Sequence, residues 1–79
     1  MPAALSIAFI RFRQGRFDEA IGGYSAVLVR DPGDANARFM RGVSKLRAGD
    51  QAGGAADVAA ANTADPRVAK AYAAIGVRP

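Results

Sequence analysis

The sequence predicts an all-α domain of five helices, and three observations support this fold class. Apolar residues recur at helical spacing, and no segment alternates in the way that a half-buried strand does. Glycine, aspartate and proline stand between the apolar stripes, where helices end and begin. The chain also repeats its own skeleton after 34 residues, which predicts two helix-turn-helix units and one closing helix.

The first predicted helix covers about Leu5 to Gln14. Leu5, Phe9 and Phe12 lie on one face of this helix. Gly15 ends it, because glycine readily adopts the left-handed backbone conformation that commonly follows a helix. The turn at Gly15 then leads directly into the second predicted helix.

The second predicted helix lies within residues 15–32 and ends at Asp31-Pro32, because proline disfavours helical geometry in the residue before it. Its apolar stripe consists of Phe17, Ala20, Ile21, Tyr24, Val27 and Leu28. Gly22 and Gly23 in its middle weaken an isolated helix. We favour a close approach of a neighbouring helix at this point, and tolerance of an exposed weak position is the alternative.

The third predicted helix, about residues 35–48, begins after the N-cap Asp34 and ends at Gly49. Its apolar residues are Phe39, Met40, Val43 and Leu46. Basic residues occupy the other face, namely Arg38, Arg41 and Lys45. This helix is therefore predicted to place one face on the core and one in solvent.

The fourth predicted helix, about residues 51–63, begins after the N-cap Asp50. Val58 is its only bulky aliphatic residue, so it can pack only where small side chains let two backbones approach closely. Gly53-Gly54 is interpreted as such a helix-packing position. This helix is therefore expected to be the least stable of the interior helices.

The closing helix begins at Asp65-Pro66, with aspartate as the N-cap and proline at the first helical position. Its apolar residues are Val68, Ala69, Tyr72 and Ile75. We therefore divide the single domain of residues 1–79 into units of about 1–34 and 35–68 and a closing helix of about 66–76.

The composition excludes several kinds of catalytic site. The 79 residues include no cysteine and no histidine, which removes disulfides, thiolate chemistry and the commonest general base and metal ligand. Most carboxylates fall at predicted helix ends, where capping explains them, and no glycine-rich phosphate-binding motif is present. We therefore predict a domain that is not an enzyme and holds no metal or cofactor.

The formal net charge is +4, from 11 basic and 7 acidic residues. A solvated surface explains this balance, and a basic binding surface is the alternative. The sequence has no run of about 18 apolar residues that could span a membrane, and its first residues lack the features of an export signal. We therefore expect no membrane association and, by default, a cytoplasmic location.

Nine positions resemble the tetratricopeptide repeat, whose pattern is W-x2-L-G-x2-Y, then A-x3-F, then P. They are Gly15, Ala20, Tyr24, Pro32, Gly42, Gly49, Pro66, Tyr72 and Gly76. The resemblance implies a right-handed α-α superhelix, and residues 39–76 resemble the closing segment of bacterial tetratricopeptide proteins. The sequence departs from the pattern at Ala4 and Arg38, where a tryptophan belongs, and at Arg11 and Lys45, where a tyrosine belongs.

The same resemblance places a peptide-binding groove along the first helix of each unit. The matching positions are Leu5, Phe9, Phe12, Arg13, Asn36, Phe39, Val43, Leu46, Arg47 and Lys70. The clamp that chaperone-type members use for a terminal carboxylate is not expected, because only Lys70 matches it. The apolar members of the set have two interpretations, since they form either the core or the floor of a groove with a basic rim.

The leading hypothesis is a protein-interaction module that binds a peptide or helix with apolar anchors and acidic flanks in this groove. The alternative is a self-associating, homodimeric scaffold, because a short solenoid has open ends that few neighbours cover. Nucleic-acid binding through Arg38, Arg41 and Lys45 with Arg11 ranks third. No aromatic residues accompany these cations on their face, and no nucleic-acid-binding motif is present.

Overall fold

The computed structural model of this chain describes the backbone of residues 3–79 and the side chains from Ile7 onward. These residues form five α-helices and no strand, which confirms the predicted all-α fold class. The helices are α1 (Ala3–Arg13), α2 (Phe17–Arg30), α3 (Ala35–Ala48), α4 (Gln51–Ala64) and α5 (Arg67–Ala73). The side chain of Leu5, a predicted groove residue, lies outside the described residues.

The 34-residue interval is visible in the positions of the helices. α2 begins at Phe17 and α4 at Gln51, and each helix has 14 residues. Gly15 and Gly49 precede these two helices, with φ angles of 78° and 98° in the left-handed region that favours glycine. Similar turns therefore lead into α2 and α4, one interval apart.

Asp34 and Asp50 are the N-caps of α3 and α4, as the sequence predicts, whereas α5 begins at Arg67 with Pro66 and not Asp65 as its N-cap. Asp34 Oδ1 accepts a hydrogen bond from the Ala37 N–H at 3.0 Å, and Asp50 Oδ1 accepts one from the first turn of α4 at 2.9 Å. Asp65 Oδ1 accepts a hydrogen bond from the Arg67 N–H at 3.0 Å. Each carboxylate pairs with a backbone donor that has no partner within its own helix.

The core is centred on α3, which packs against the other four helices. Phe39, Met40 and Val43 of α3 are fully buried, and Tyr24 of α2 packs into the same core. The other buried apolar residues are Ala8, Phe12, Ala20, Leu28, Ala37, Ala61, Val68 and Val77. The apolar residues of α3 are therefore covered by the domain's own helices.

Glycines are needed where helices approach closely. A Cβ atom placed on Gly54 of α4 would lie 2.6 Å from Cγ of Leu46 in α3. A Cβ atom placed on Gly23 of α2 would lie 2.9 Å from Cβ of Ala8 in α1. The predicted close approach is thus confirmed for Gly23, whereas Gly22 has open space around it and is exposed.

The closing helix α5 ends at Ala73, earlier than the predicted end near residue 76. The Val77 N–H donates a hydrogen bond to the carbonyl of Tyr72 at 3.0 Å, and Gly76 adopts a φ of 83° in this turn. The turn returns the chain to the core, where Val77 is buried. Gly76 therefore follows a helix, whereas Gly42, its counterpart one interval earlier, lies inside α3.

The stacked helices do not elongate the molecule. Its principal dimensions are 25 × 25 × 23 Å. Two helix pairs and one short helix are too few to display a superhelical pitch. The right-handed superhelix that the family resemblance implies therefore stays a prediction.

Candidate functional site

The apolar floor of the predicted peptide groove is buried inside the domain. Phe39 and Val43 are 0% exposed, and Phe12 is also buried. Tyr72 of α5 stacks on Phe39 with 5.3 Å between ring centroids. These three predicted groove residues therefore belong to the core, and Tyr72 of the closing helix covers Phe39. A partner cannot reach Phe39 while Tyr72 is in place.

Five aromatic rings form a continuous chain through this part of the core. Phe17 meets Phe12 at a centroid distance of 5.7 Å, and Phe12 meets Phe9 at 6.2 Å. Phe9 lies 6.5 Å from Tyr72, which continues the chain to Phe39. The spacings suit favourable offset or edge contacts between rings. The chain of rings joins α2, α1, α5 and α3.

The predicted basic rim lies over these rings. The Arg13 guanidinium is 5.8 Å from the centroid of Phe9, and the Arg47 guanidinium is 5.6 Å from that of Phe12. Arg47 also donates a hydrogen bond to the Arg78 carbonyl at 3.1 Å. Such cation–π contacts contribute about 0.5–1 kcal/mol each at exposed sites. The two arginines, one repeat interval apart, therefore cover neighbouring aromatic rings.

The remaining predicted groove positions differ in burial and in their contacts. Leu46 lies at the contact between α3 and α4, where it packs against Gly54. Asn36 and Lys70 are exposed, and Phe9 is half-buried. What remains of the predicted groove is thus a polar and cationic surface over aromatic rings.

A buried carboxylate that the sequence analysis assigned to no site, Asp57, lies at the centre of an ion cluster. Arg41 donates two hydrogen bonds to it, from Nε to Oδ2 at 2.7 Å and from Nη2 to Oδ1 at 2.9 Å. Lys45 Nζ lies 3.0 Å from Oδ2, and Arg38 Nη1 lies 3.8 Å from Oδ1. The cluster joins α3 to α4.

The charges around Asp57 decide its ionisation. Its side chain is only 8% exposed, and this burial alone would raise the pKa of the carboxyl group. The hydrogen bonds and positive charges of Arg41 and Lys45 outweigh the burial, so the pKa of Asp57 lies below its ordinary value. Asp57 is therefore ionised at neutral pH and balances part of the positive charge around it.

These contacts also bear on the predicted nucleic-acid face. Arg38, Arg41 and Lys45 turn toward Asp57, and Arg41 additionally donates to Ser25 Oγ at 3.4 Å. Their donors are therefore partly used within the domain. The sequence contains one signal of this ion cluster. Asp57 lies in the middle of a predicted helix, where a carboxylate cannot act as a helix cap.

An open groove of about 460 Å³ lies between α1 and α2. Its lining is mostly apolar and consists of Ile7, Ala8, Arg11, Glu19, Gly23 and Ala26. The close contact of Gly23 with Ala8 forms the narrow part between the helices. This groove was not predicted, because the sequence analysis assigned Gly22-Gly23 to helix packing and no role to Ile7.

Exposed apolar side chains accompany this groove. Among the described residues, four large hydrophobic side chains are more than half exposed. Ile7 (56%) and Ile10 (52%) lie on α1, and Val29 (82%) lies on α2. The fourth, Ile75 (56%), follows α5. The helix pair α1–α2 therefore carries most of the large apolar side chains that the described chain leaves in water.

Comparison of the chain with protein-family models, with curated proteins and with solved structures gives no match. Within residues 3–79, no helix combines the length and the hydropathy needed to cross a membrane. The acidic side chains of the described residues form no group of three or more that could hold a metal ion. The candidate site therefore rests on the geometry of the α1–α2 groove.

Proposed function

We propose that this chain is a non-catalytic protein-interaction domain whose helices stack as in tetratricopeptide repeats. In this arrangement α1–α2 and α3–α4 are two successive units of a right-handed superhelix, and α5 closes the stack. The equal lengths of α2 and α4 and the left-handed glycines before them support two equivalent units. The packing of α3 against α2 supports their stacking.

The docking surface in this proposal is the α1–α2 groove. The observation that carries it is an apolar groove with Ile7 56% exposed in its wall. The groove along α3, which the family resemblance implies, is filled by Tyr72 and is therefore not the docking surface. The partner is a helix with apolar side chains at intervals of three and four residues, since such a helix presents one apolar stripe.

The expected affinity is modest. Completing the burial of Ile7, which is already about half buried, recovers about 1 kcal/mol. The net charge of +4 favours encounter with a partner that carries acidic residues beside its apolar stripe. Contacts of this size suit a transient complex.

A titration tests the proposal. A designed helical peptide with leucines on one face and glutamates at its ends is added to the isotope-labelled domain. The amide resonances of Ile7, Gly23 and Ala26 are expected to shift most. Ile7→Glu should weaken binding about tenfold or more, whereas Ile75→Glu, at an equally exposed isoleucine, should leave it within about twofold. Equal losses in the two variants would remove the groove from the proposal.

A further inference from the structure

We infer that the α1–α2 groove is covered by the same groove of a second copy of this chain, related by a two-fold axis. This inference rests on the proposed function, because it uses the same docking surface. It names the partner helix pair as α1 and α2 of another molecule. The occupant is thus a second copy, and a helix from another protein is the competing occupant.

The first argument is that, among the described residues, α5 covers one end of the helix stack and the α1–α2 end has no such cover. At the other end, α5 packs against α3 and α4, and Val68 and Val77 are buried there. Ile75 is the only large hydrophobic residue of the described α5 region that is more than half exposed. Association through a single patch on each molecule is isologous, so it closes as a dimer and does not continue into a fibre.

The second argument is that the groove is complementary to itself in charge. Arg11 and Glu19 line the same groove, from α1 and from α2. Each contacts a residue near it in sequence, Arg11 with Gln14 at 3.3 Å and Glu19 with Arg16 at 3.6 Å. A two-fold axis that runs along the groove, parallel to the two helices, places α1 of each copy over α2 of the other and brings Arg11 toward Glu19 twice.

The net charge limits where two copies can meet. Each chain carries +4 and repels a second chain over most of its surface. The groove holds one cation and one anion around an apolar floor, and is therefore a place where like-charged molecules can approach. The opposite charges of Arg11 and Glu19 in one lining are the reason for choosing a second copy as the occupant.

The size of the surface predicts a weak dimer. α1 and α2 have 11 and 14 residues, which at a rise of about 1.5 Å per residue gives lengths of about 16 and 21 Å. Two adjacent helices of this length bury less than the roughly 800 Å² per partner of a standard interface. Dissociation is therefore expected in the micromolar to millimolar range of protein concentration.

The experiment is sedimentation of the full chain over that concentration range, with two charge-reversed variants. Arg11→Glu and Glu19→Arg each place like charges opposite one another in the homodimer, so each should weaken dimerisation about tenfold or more. An equimolar mixture of the two variants should dimerise again, because both cross-contacts then join opposite charges. Circular dichroism of each variant checks that the helices are intact.

A matched pair of variants controls for net charge. Lys70→Glu and Asp18→Arg change the net charge by the same amounts at exposed positions outside the groove lining. Each alone, and their mixture, should dimerise about as the unaltered chain does. If the control variants also lose dimerisation singly and regain it when mixed, the effect reflects net charge. That result would overturn the two-fold contact of Arg11 with Glu19.

The outcomes separate this inference from the proposed function. A chain that stays monomeric throughout the range overturns the inference, and the proposed function stands if the designed peptide still binds at Ile7. A dimer that survives Arg11→Glu, Glu19→Arg and Ile7→Glu overturns the inference by placing the interface elsewhere. Absence of both dimer and peptide binding overturns both.

Discussion

Gly42 of α3 and Gly54 of α4 meet face to face where the two helices cross. A Cβ atom placed on Gly42 would lie 2.8 Å from the Gly54 carbonyl oxygen, and one placed on Gly54 would lie 2.7 Å from the Gly42 carbonyl oxygen. The contact is therefore reciprocal, and neither position has room for a side chain. It explains how α4, half of whose residues are alanine, packs closely on α3 with few large side chains.

Gly54→Ala should lower the free energy of unfolding by about 1–3 kcal/mol, because the added methyl group forces the helices apart. Gly22→Ala is the matched control in a helix with open space at the substituted position. It should raise the free energy of unfolding by up to about 1 kcal/mol, since alanine favours helix over glycine. Urea denaturation measures both. Stabilisation by both variants would contradict the close crossing.

Tyr24→Ala should lower the free energy of unfolding by about 3 kcal/mol, as large-to-small changes in a core do. Tyr24 is 1% exposed and belongs to the core around α3. A loss of this size is a large part of the total stability of a small domain. Thermal melting followed by circular dichroism measures it. An unchanged melting temperature would place Tyr24 outside the core.

Asp57→Asn should lower the free energy of unfolding at neutral pH by about 3 kcal/mol, the lower end of the range for breaking a buried ion pair. The amide offers one acceptor oxygen where the carboxylate offers two, so it cannot accept from both Nε and Nη2 of Arg41, and the cations are left without their anion. Asp18→Asn, at an exposed carboxylate, is the control and should change stability by less than about 0.5 kcal/mol. Equal effects in denaturant melts would mean that the cluster contributes nothing.

The stability difference between the unaltered chain and Asp57→Asn should shrink on acidification. The pKa of Asp57 is lowered in the folded state, so the unfolded chain binds the proton more readily. The contribution of the carboxylate is therefore complete above the unfolded pKa, near 4, and is lost as the pH falls through the lower folded pKa. Urea melts from pH 6 to pH 2 measure the difference. A difference that stays constant over this range would contradict the lowered pKa.

Tyr72→Ala should lower the free energy of unfolding by about 3 kcal/mol and expose the apolar floor around Phe39. The variant is expected to bind a fluorescent apolar dye while still folded, since Phe9 and Phe39 lose the ring that lies between them. Ile75→Ala, at an exposed residue, should neither lower the free energy of unfolding by this amount nor cause dye binding. Dye binding that is unchanged in Tyr72→Ala would mean that α5 does not cover the predicted groove.

The sequence predicted the helices well because their signals are local. Asp34 and Asp50 act on residues within one turn, and Gly15 needs only its own backbone conformation. The apolar stripes also identified the core face of α2, including Tyr24. These features depend on residues that are close together in the chain, so they can be predicted from the sequence alone.

The candidate site could not be predicted in the same way because it depends on how helices rotate and cross. Gly22 and Gly23 are adjacent in sequence, yet only Gly23 faces α1. Phe39 fits a groove or a core equally well until Tyr72 is placed over it. Asp57 pairs with Arg41 across two helices, at a separation that no local pattern signals.

The contact between Phe9 and Tyr72 has a consequence for how the chain folds. Repeat proteins usually fold by adding units to neighbours, so that partly folded chains are populated. Here the first helix touches the last one, and this contact closes only after the intervening helices have assembled. Folding of so small a chain should therefore be a single cooperative step, limited by the closure of a long loop and not by the formation of individual helices.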